Sequence, residues 1–405
     1  MYKMGNERHY GTVSIGVRTP IIREGDDLIS IVSDSVLTAV DELGMTLKDK
    51  DVIAITESIV ARAKGNYVTV DEIAADVNQK FGDNTVGVLF PILSRNRFAI
   101  CLRGIAKGCK KIVLQLSYPA DEVGNKLISD KVFYGLGQGD NSQLLTEYEF
   151  RAKFGETKHE FTGIDYIEYY KQLIKDCGCE CEVIFSNNPA SIVKYADYVI
   201  ACDIHTRENT KKIVNDAGAT IVYSLDSIMC KPQKENGGYN STYGLLGSNK
   251  ATEDKIKLFP NKSDCEELVY GVQRRLLART SAMVEVMVYG DGAFKDPQGK
   301  IWELADPVVS PAYTKGLIGT PNELKLKYLA DNDYSNLNGD ELKDAIKSRI
   351  VNKDANLVGQ MSTEGTTPRQ LTDLLGSLSD LTSGSGDKGT PIVLIKGYFD
   401  NYTHD

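Results

Sequence analysis

The sequence predicts an α+β protein: a mixed core built jointly by the two ends of the chain, with an α/β layer of parallel βαβ units inserted between them. Three observations carry this reading. Runs rich in β-branched residues, which read as buried strands, occur near both ends, at Val52–Thr56 and Pro391–Ile395. Between them short strands and helices alternate, the rhythm of parallel pairing. The length of 405 residues is enough for two or three domains. The expected division is 1–127 as the first half of the outer domain, 128–262 as the insertion, and 263–405 as the second half.

Taken in order, Thr12–Val17 reads as a strand and Asp26–Leu43 as a helix, from the spacing of Leu28, Ile29, Val32, Val36, Leu37 and Val40, stopped by Gly44. After the strand Val52–Thr56, Thr69 with Glu72 forms a capping box that opens a helix striped by Ile73, Ala74, Val77 and Phe81. Strands are expected near Phe98–Leu102 and Lys111–Leu116. The middle then alternates helix Asp165–Asp176, strand Glu182–Phe185, helix Pro189–Tyr195, strand Tyr198–Cys202, helix Arg207–Asp216 and strand Thr220–Tyr223. A polar, Gly- and Lys-rich stretch at 231–262 returns the chain to the outer domain. Ser263 and Glu266 suggest a second capping box, and Met283–Tyr289 alternates like a half-buried strand. Thr320-Pro321-Asn322-Glu323 and Thr367-Pro368 signal two further helix starts, the second ahead of a Leu371, Leu374, Leu375, Leu378 stripe.

Composition excludes several classes. The formal net charge of −9 argues against a general nucleic-acid surface. No apolar run is long enough for a membrane span, and the N-terminus has no secretory core, so a cytoplasmic protein with reduced thiols is expected. Cys177-x-Cys179-x-Cys181 lacks the paired spacing of structural zinc and is read as packing. No P-loop or G-x-S-x-G elbow is present. Gly135-x-Gly137-x-Gly139 is too loose for a dinucleotide fingerprint, and His9, His159, His205 and His404 are scattered.

The informative residues are acids and cations at strand ends. Tyr289-Gly290-Asp291-Gly292 follows a strand, and a carboxylate between glycines lets an ion or phosphate approach the backbone. Glu303 and Asp306, a little further on, offer more oxygen ligands. Mg²⁺ is commonly held by one or two carboxylates plus substrate phosphates, so the stretch suits nucleotide chemistry; a plain hairpin turn is the alternative. Pro20–Leu28 joins a strand to a helix through Gly25, where the first helical N–H groups can receive an anion or simply be capped by Asp26 and Asp27. Arg62 and Lys64 follow the strand Val52–Thr56 and can clamp phosphate or form a solvated face. Gly384–Gly389 is a helix stop whose free N–H groups can approach phosphate.

Three stretches together resemble one family. They are Pro-x-Ile-Arg-Glu-Gly-Asp-Asp-Leu at Pro20–Leu28, the run Asp49–Gly65, and the Gly-rich loop with its closing strand at Gly384–Gly397. They look like the gamma-glutamyl ligases that act on the deazaflavin coenzyme F-420 precursor. The resemblance implies a homodimeric, gamma-glutamyl-ligase-like α+β core. It also implies GTP (or ATP) as co-substrate and Mg²⁺ or Mn²⁺. The implied reaction joins L-glutamate to a small carboxylate acceptor through an acyl phosphate. It further implies Ile22, Arg23, Gly25, Arg62, Lys64 and Gly386 as nucleotide-binding, Asp291 and Arg62 as catalytic, and Asp291, Glu303, Asp306 and Asp121 as metal ligands. Gly104-Ile105-Ala106 stands where the family has a Gly-Ile-Asp metal motif, and Tyr118–Glu122 resembles the Pro/Asp-rich stretch that follows it. An acceptor of another kind, such as a folate, and a nucleotide- or metabolite-binding protein without catalysis are the alternatives.

Overall fold

Five strands of one mixed sheet come from both ends of the chain. The computed structural model describes residues 9–135, 143–159, 162–233, 238–290, 310–363, 369–383 and 387–403, and the backbone alone of 294–295 and 302–303. The chain divides into two compact units: one of Met1–Val60, Lys262–Ala293 and Leu304–Asp405, the other of Ala61–Asn261 and Phe294–Glu303. The division after Val60 differs from the one expected after residue 127. The cause is hydrogen bonding, since strands before residue 127 lie at the centre of the second unit's sheet.

In the first unit the sheet order is Val13–Val17, Ile392–Lys396, Val52–Thr56, Glu285–Tyr289, Ala312–Tyr313. Only the pair Val52–Thr56 and Glu285–Tyr289 runs parallel. Central strands buried on both faces carry near-continuous apolar runs, and Val52, Ile53, Ala54 and Ile55 are fully buried. The strand Glu285–Tyr289 is buried at all five positions rather than on alternate ones. Its alternation of Val with Glu, Met and Tyr hides this, because helix Leu371–Thr382 covers Met287 and Tyr289 on one face while helix Lys262–Thr280 packs on the strand as well. That last helix begins at Lys262, so Ser263 lies inside it and not at a cap. Helix Leu28–Glu42 packs on it where Gly271 leaves room for Ile29.

Thr320–Glu323 does not open a helix. Asn322 instead ties two loops, its side chain accepting the Leu357 N–H at 3.0 Å and donating to Asp354 O at 3.1 Å, and Leu324 bridges to Thr363. The capping signal is overridden by tertiary pairing. Glu285 is 8% exposed and accepts from the Thr314 hydroxyl and the Gly316 N–H. A Cβ on Gly316 would overlap the Glu285 carboxylate. Gly316→Ala is therefore expected to cost about 1–3 kcal/mol as an overpacked site, read as a lowered urea midpoint; an unchanged midpoint would refute the close approach.

The second unit is a doubly wound α/β sheet. Its parallel strands Thr85–Leu89, Lys111–Leu116, Glu180–Phe185, Tyr198–Ala201 and Ile221–Ser224 stand in the spatial order third, second, first, fourth, fifth, with the short antiparallel strand Leu145–Thr146 at one edge. Helices Val70–Phe81, Phe98–Lys107 and Tyr166–Asp176 cover one face. The 3₁₀ helix Pro189–Lys194 and helix Arg207–Asp216 contribute Ile192 and Val214 to the other. Phe98–Leu102 is helix rather than strand: a run apolar at every position has no period to separate the two. Gly104 and Gly108 decide it by letting the helix sit against Ile73 and the Ala74 carbonyl. The strand that the sequence hid, Thr85–Leu89, is interrupted by Gly87, over which Ile192 lies.

Candidate functional site

Strand register brings the sequence motifs of the first unit to one end of its sheet. Val17 pairs with Ile392, Ile392 with Ile55, and Thr56 with Tyr289. The loop after Val17, the loop before Ile392, the helix that starts at Glu57 and the chain beyond Tyr289 therefore all leave from the same end. Residues far apart in sequence meet there: Arg18 Nε donates to the Lys388 carbonyl at 3.2 Å, a pair with a sequence separation of 370.

The first loop is a tight turn. Asp26 N–H donates to Arg23 O at 3.3 Å and the Arg23 N–H donates to Asp26 Oδ2 at 2.7 Å. Gly25 has φ +85°, a left-handed conformation that favours glycine, and a Cβ there would meet open space. Asp27 caps helix Leu28–Glu42 by accepting the Ser30 N–H and hydroxyl, which holds its carboxyl below the usual range. The two acids are thus engaged in turn and cap. Ile22 is 4% exposed and anchors the loop in the core, so it can reach a ligand only through its backbone. Arg23 is exposed and has no ion pair among the described residues.

On the C-terminal side, Lys388 is exposed, Gly389 has φ +65°, and Thr390 Oγ1 is buried without a hydrogen-bond partner among the described residues. Thr390 lies over Gly16, whose missing side chain leaves it room at 3.1 Å. Glu57, 3% exposed, is the first residue of helix Glu57–Ala63 and follows Thr56, whose N–H donates to Pro391 O at 3.0 Å. Tyr289 hydroxyl and Ser383 hydroxyl are 2.6 Å apart. Arg18, Arg23 and Lys388 are thus exposed cations on loops that leave this end of the sheet, beside the left-handed glycines Gly25 and Gly389, a combination of charge and free backbone donors suited to an anion.

Of the residues singled out from sequence, Ile22, Arg23 and Gly25 are brought to this end of the sheet. Arg62 and Lys64 are exposed, at and just after the C-terminus of helix Glu57–Ala63, and belong to the second unit. Asp291, Asp306 and Gly386 lie outside the described residues, as do Thr367, Pro368, Gly137 and Gly139, and of Glu303 only the backbone is described. Asp121 is placed in the second unit and does not suit a metal. It is 9% exposed, and its carboxylate accepts from Leu93 N–H at 2.8 Å, Val123 N–H at 3.1 Å, Asn125 N–H at 2.8 Å and the Asn125 side chain at 2.8 Å. Four donors fill the four acceptor positions of a carboxylate; burial nevertheless pushes its pKa up. Ala106 is buried inside helix Phe98–Lys107. Among the described residues no group of three or more His, Cys, Asp or Glu could hold a metal ion. Cys179 lies in the second unit's core with Cys177 and Cys181 packed against it, and burial pushes Cys179 up to about 12 and Cys181 up to about 11.

Sequence reasoning missed Arg18, Lys388 and Thr390. Arg18 follows directly on a strand and carried a signal of its own as a cation at a strand end. Nothing local marks Thr390.

Comparison with known proteins agrees with the motifs. A curated relative, the coenzyme F420:L-glutamate ligase of Methanothermobacter thermautotrophicus, is 35% identical over 78 residues, which is 18% of this chain and 29% of that protein. The chain therefore matches under a third of that relative's length. Among solved structures, eIF2B beta from Chaetomium thermophilum is matched over 47% of this chain and 52% of that one, at 9% identity and a TM-score of 0.23, a likeness too slight to carry an argument. The sequence model of the family described as F420-0:Gamma-glutamyl ligase matches residues 16–397, nearly the whole chain, and the protein belongs to that family.

Proposed function

We propose that the protein is a nucleotide-dependent ligase that joins L-glutamate through an amide bond to a carboxylate acceptor of the F420-0 type, by way of an acyl phosphate. The observation that supports it most is the convergence of both terminal motifs at one end of the mixed sheet, which gives the gamma-glutamyl-ligase-like core a reading in this chain. In this reading GTP lies with its phosphates against Arg18, Arg23 and Lys388. The γ-phosphoryl group passes to an oxygen of the acceptor carboxylate and GDP leaves. The deprotonated amine of glutamate then attacks the acyl carbon, the C–N bond forms, the C–O bond breaks, and inorganic phosphate departs with the oxygen that came from the acceptor. The three cations oppose the charge that phosphates and acyl phosphate bring together, the electrostatic task that dominates phosphoryl transfer.

A divalent cation, Mg²⁺ or Mn²⁺, supplies charge neutralisation at the phosphates when bound. Asp291 follows the strand end at Tyr289 by two residues and is the carboxylate proposed for it, with Glu303 and Asp306. A homodimer in the cytoplasm is the proposed working form; no helix among the described residues is long and apolar enough to cross a membrane.

The test uses the full chain with GTP, Mg²⁺ or Mn²⁺, L-glutamate and an acceptor whose carboxylate carries ¹⁸O. Phosphate release that needs both glutamate and acceptor is expected, with one ¹⁸O in each phosphate. Release without ¹⁸O rules out the acyl phosphate. A second reading, nucleotide binding without turnover, draws on Ala106, which is buried within helix Phe98–Lys107 where the family's metal motif has an aspartate; tight GTP binding with no phosphate released under any of these conditions would establish it. A folate as acceptor is distinguished by substituting it in the same assay.

A further inference from the structure

The first unit holds a cavity of about 770 Å³ that the ligase reading does not use. It lies at the other end of the sheet from the motif loops. Tyr398 in its wall follows Lys396, which pairs with Val13 at the far end of the strand from Ile392, and Thr320 follows the turn Lys315–Leu317 beside Glu285. Five-residue strands separate the two ends by roughly 16 Å.

Three features of the lining point to one kind of ligand. Tyr328, Tyr398, Leu357 and Leu374 supply an apolar and aromatic wall. The volume is within the range of small-molecule sites, and the mouth is marked by Val358 and Met361, 72% and 78% exposed. Lys325, Lys327 and Arg369 face the same space, and none has an ion pair among the described residues. The lining also contains Glu323 and Asp331, so cations outnumber carboxylates by three to two. One side is formed by a π-helical turn, Leu329–Asp333, a form that recurs at functional sites because it widens the helix and frees backbone groups. Burial beside Glu323 pushes the Tyr398 hydroxyl up to about 12, so it stays a neutral donor at neutral pH.

We propose that this cavity binds an amphipathic organic anion: a flat apolar body seated on Tyr328, Tyr398 and Leu374, with a carboxylate or phosphate held by Lys325, Lys327 and Arg369. The site stands independently of the ligase reading, because its residues come from the opposite end of the sheet.

The probe is 1-anilinonaphthalene-8-sulfonate, an aromatic anion that fluoresces when its ring leaves water. Titration of the full chain is expected to show one saturable site. The triple variant Lys325→Gln, Lys327→Gln, Arg369→Gln should raise its Kd about 10-fold or more, since hydrogen bonds from charged donors are stronger than neutral ones. Val358→Trp, at an exposed mouth position, should narrow the cavity and reduce the saturating signal without lowering the melting temperature. Should the triple variant fail to fold, Val358→Trp decides alone. Binding at many equivalent sites, or an affinity and signal that neither variant changes, overturns the proposal. None of these readouts depends on ligase turnover.

Discussion

Replacing Lys396 with methionine should lower the stability of the first unit by about 3 kcal/mol, the lower end of the roughly 3–5 kcal/mol lost when one partner of a buried ion pair is removed. The Lys396 ammonium binds the Asp51 carboxylate, which is 3% exposed, and also donates to Thr46 O at 2.8 Å. Asp51 accepts the Lys48 N–H at 2.8 Å as well. With the ammonium gone, that single amide must hold a carboxylate that water scarcely reaches. The pair closes the sheet end where Lys396 and Val52 lie, so the loss falls on strands that hold the whole core. Urea unfolding of Lys396→Met, Asp51→Asn and the double variant forms the check. The double variant should recover much of the loss, because Asn keeps an acceptor for Lys48 without the charge. If Lys396→Met unfolds at the wild-type midpoint, the pair is a solvated surface contact and its structural role is wrong.

The second large effect concerns nucleotide. Arg18→Ala with Arg23→Ala should weaken GTP binding by about 100-fold, since each guanidinium–phosphate contact is worth about 1.5–3 kcal/mol and the two act on one ligand. Both side chains are exposed, so the melting temperature should stay near that of the wild type. Arg18 has a second role: its Nε holds the Lys388 carbonyl, so Arg18→Lys should keep the charge but lose part of the affinity through a looser C-terminal loop. Calorimetric titration of GTP is the measurement. Unchanged affinity in the double variant would remove the polyphosphate from this end of the sheet. Arg62→Ala in the same titration reports whether the second motif shares the load.

Much of the local structure was legible because its causes are local. The capping box at Thr69 forms as read, with the Thr69 N–H donating to Glu72 at 2.7 Å and the Glu72 N–H donating to Thr69 Oγ1 at 3.2 Å. Helix Arg207–Asp216 and strands Val52–Thr56 and Lys111–Leu116 have the bounds that their patterns predict. The same capping signal at Thr320–Glu323 failed because Asn322 finds partners 32 and 35 residues away, at Asp354 and Leu357. Asp121 shows the parallel limit for sites. An acid in a Pro/Asp-rich loop reads as a ligand, yet its oxygens are filled by Leu93, Val123 and Asn125, and only coordinates reveal donors contributed by another loop.

From its residues alone the chain specifies the α+β class, most of its helices and strands, and motifs at both ends that belong to the gamma-glutamyl ligase family. Those properties rest on side-chain period, capping chemistry and residue identity, which act within a few positions. Tertiary structure decided the rest: that the domain break follows Val60, that Thr85–Leu89 is a central strand, and that Val17, Ile392, Thr56 and Tyr289 end together. The physical reason is that register between strands hundreds of residues apart is set by hydrogen bonds and packing summed over the whole sheet.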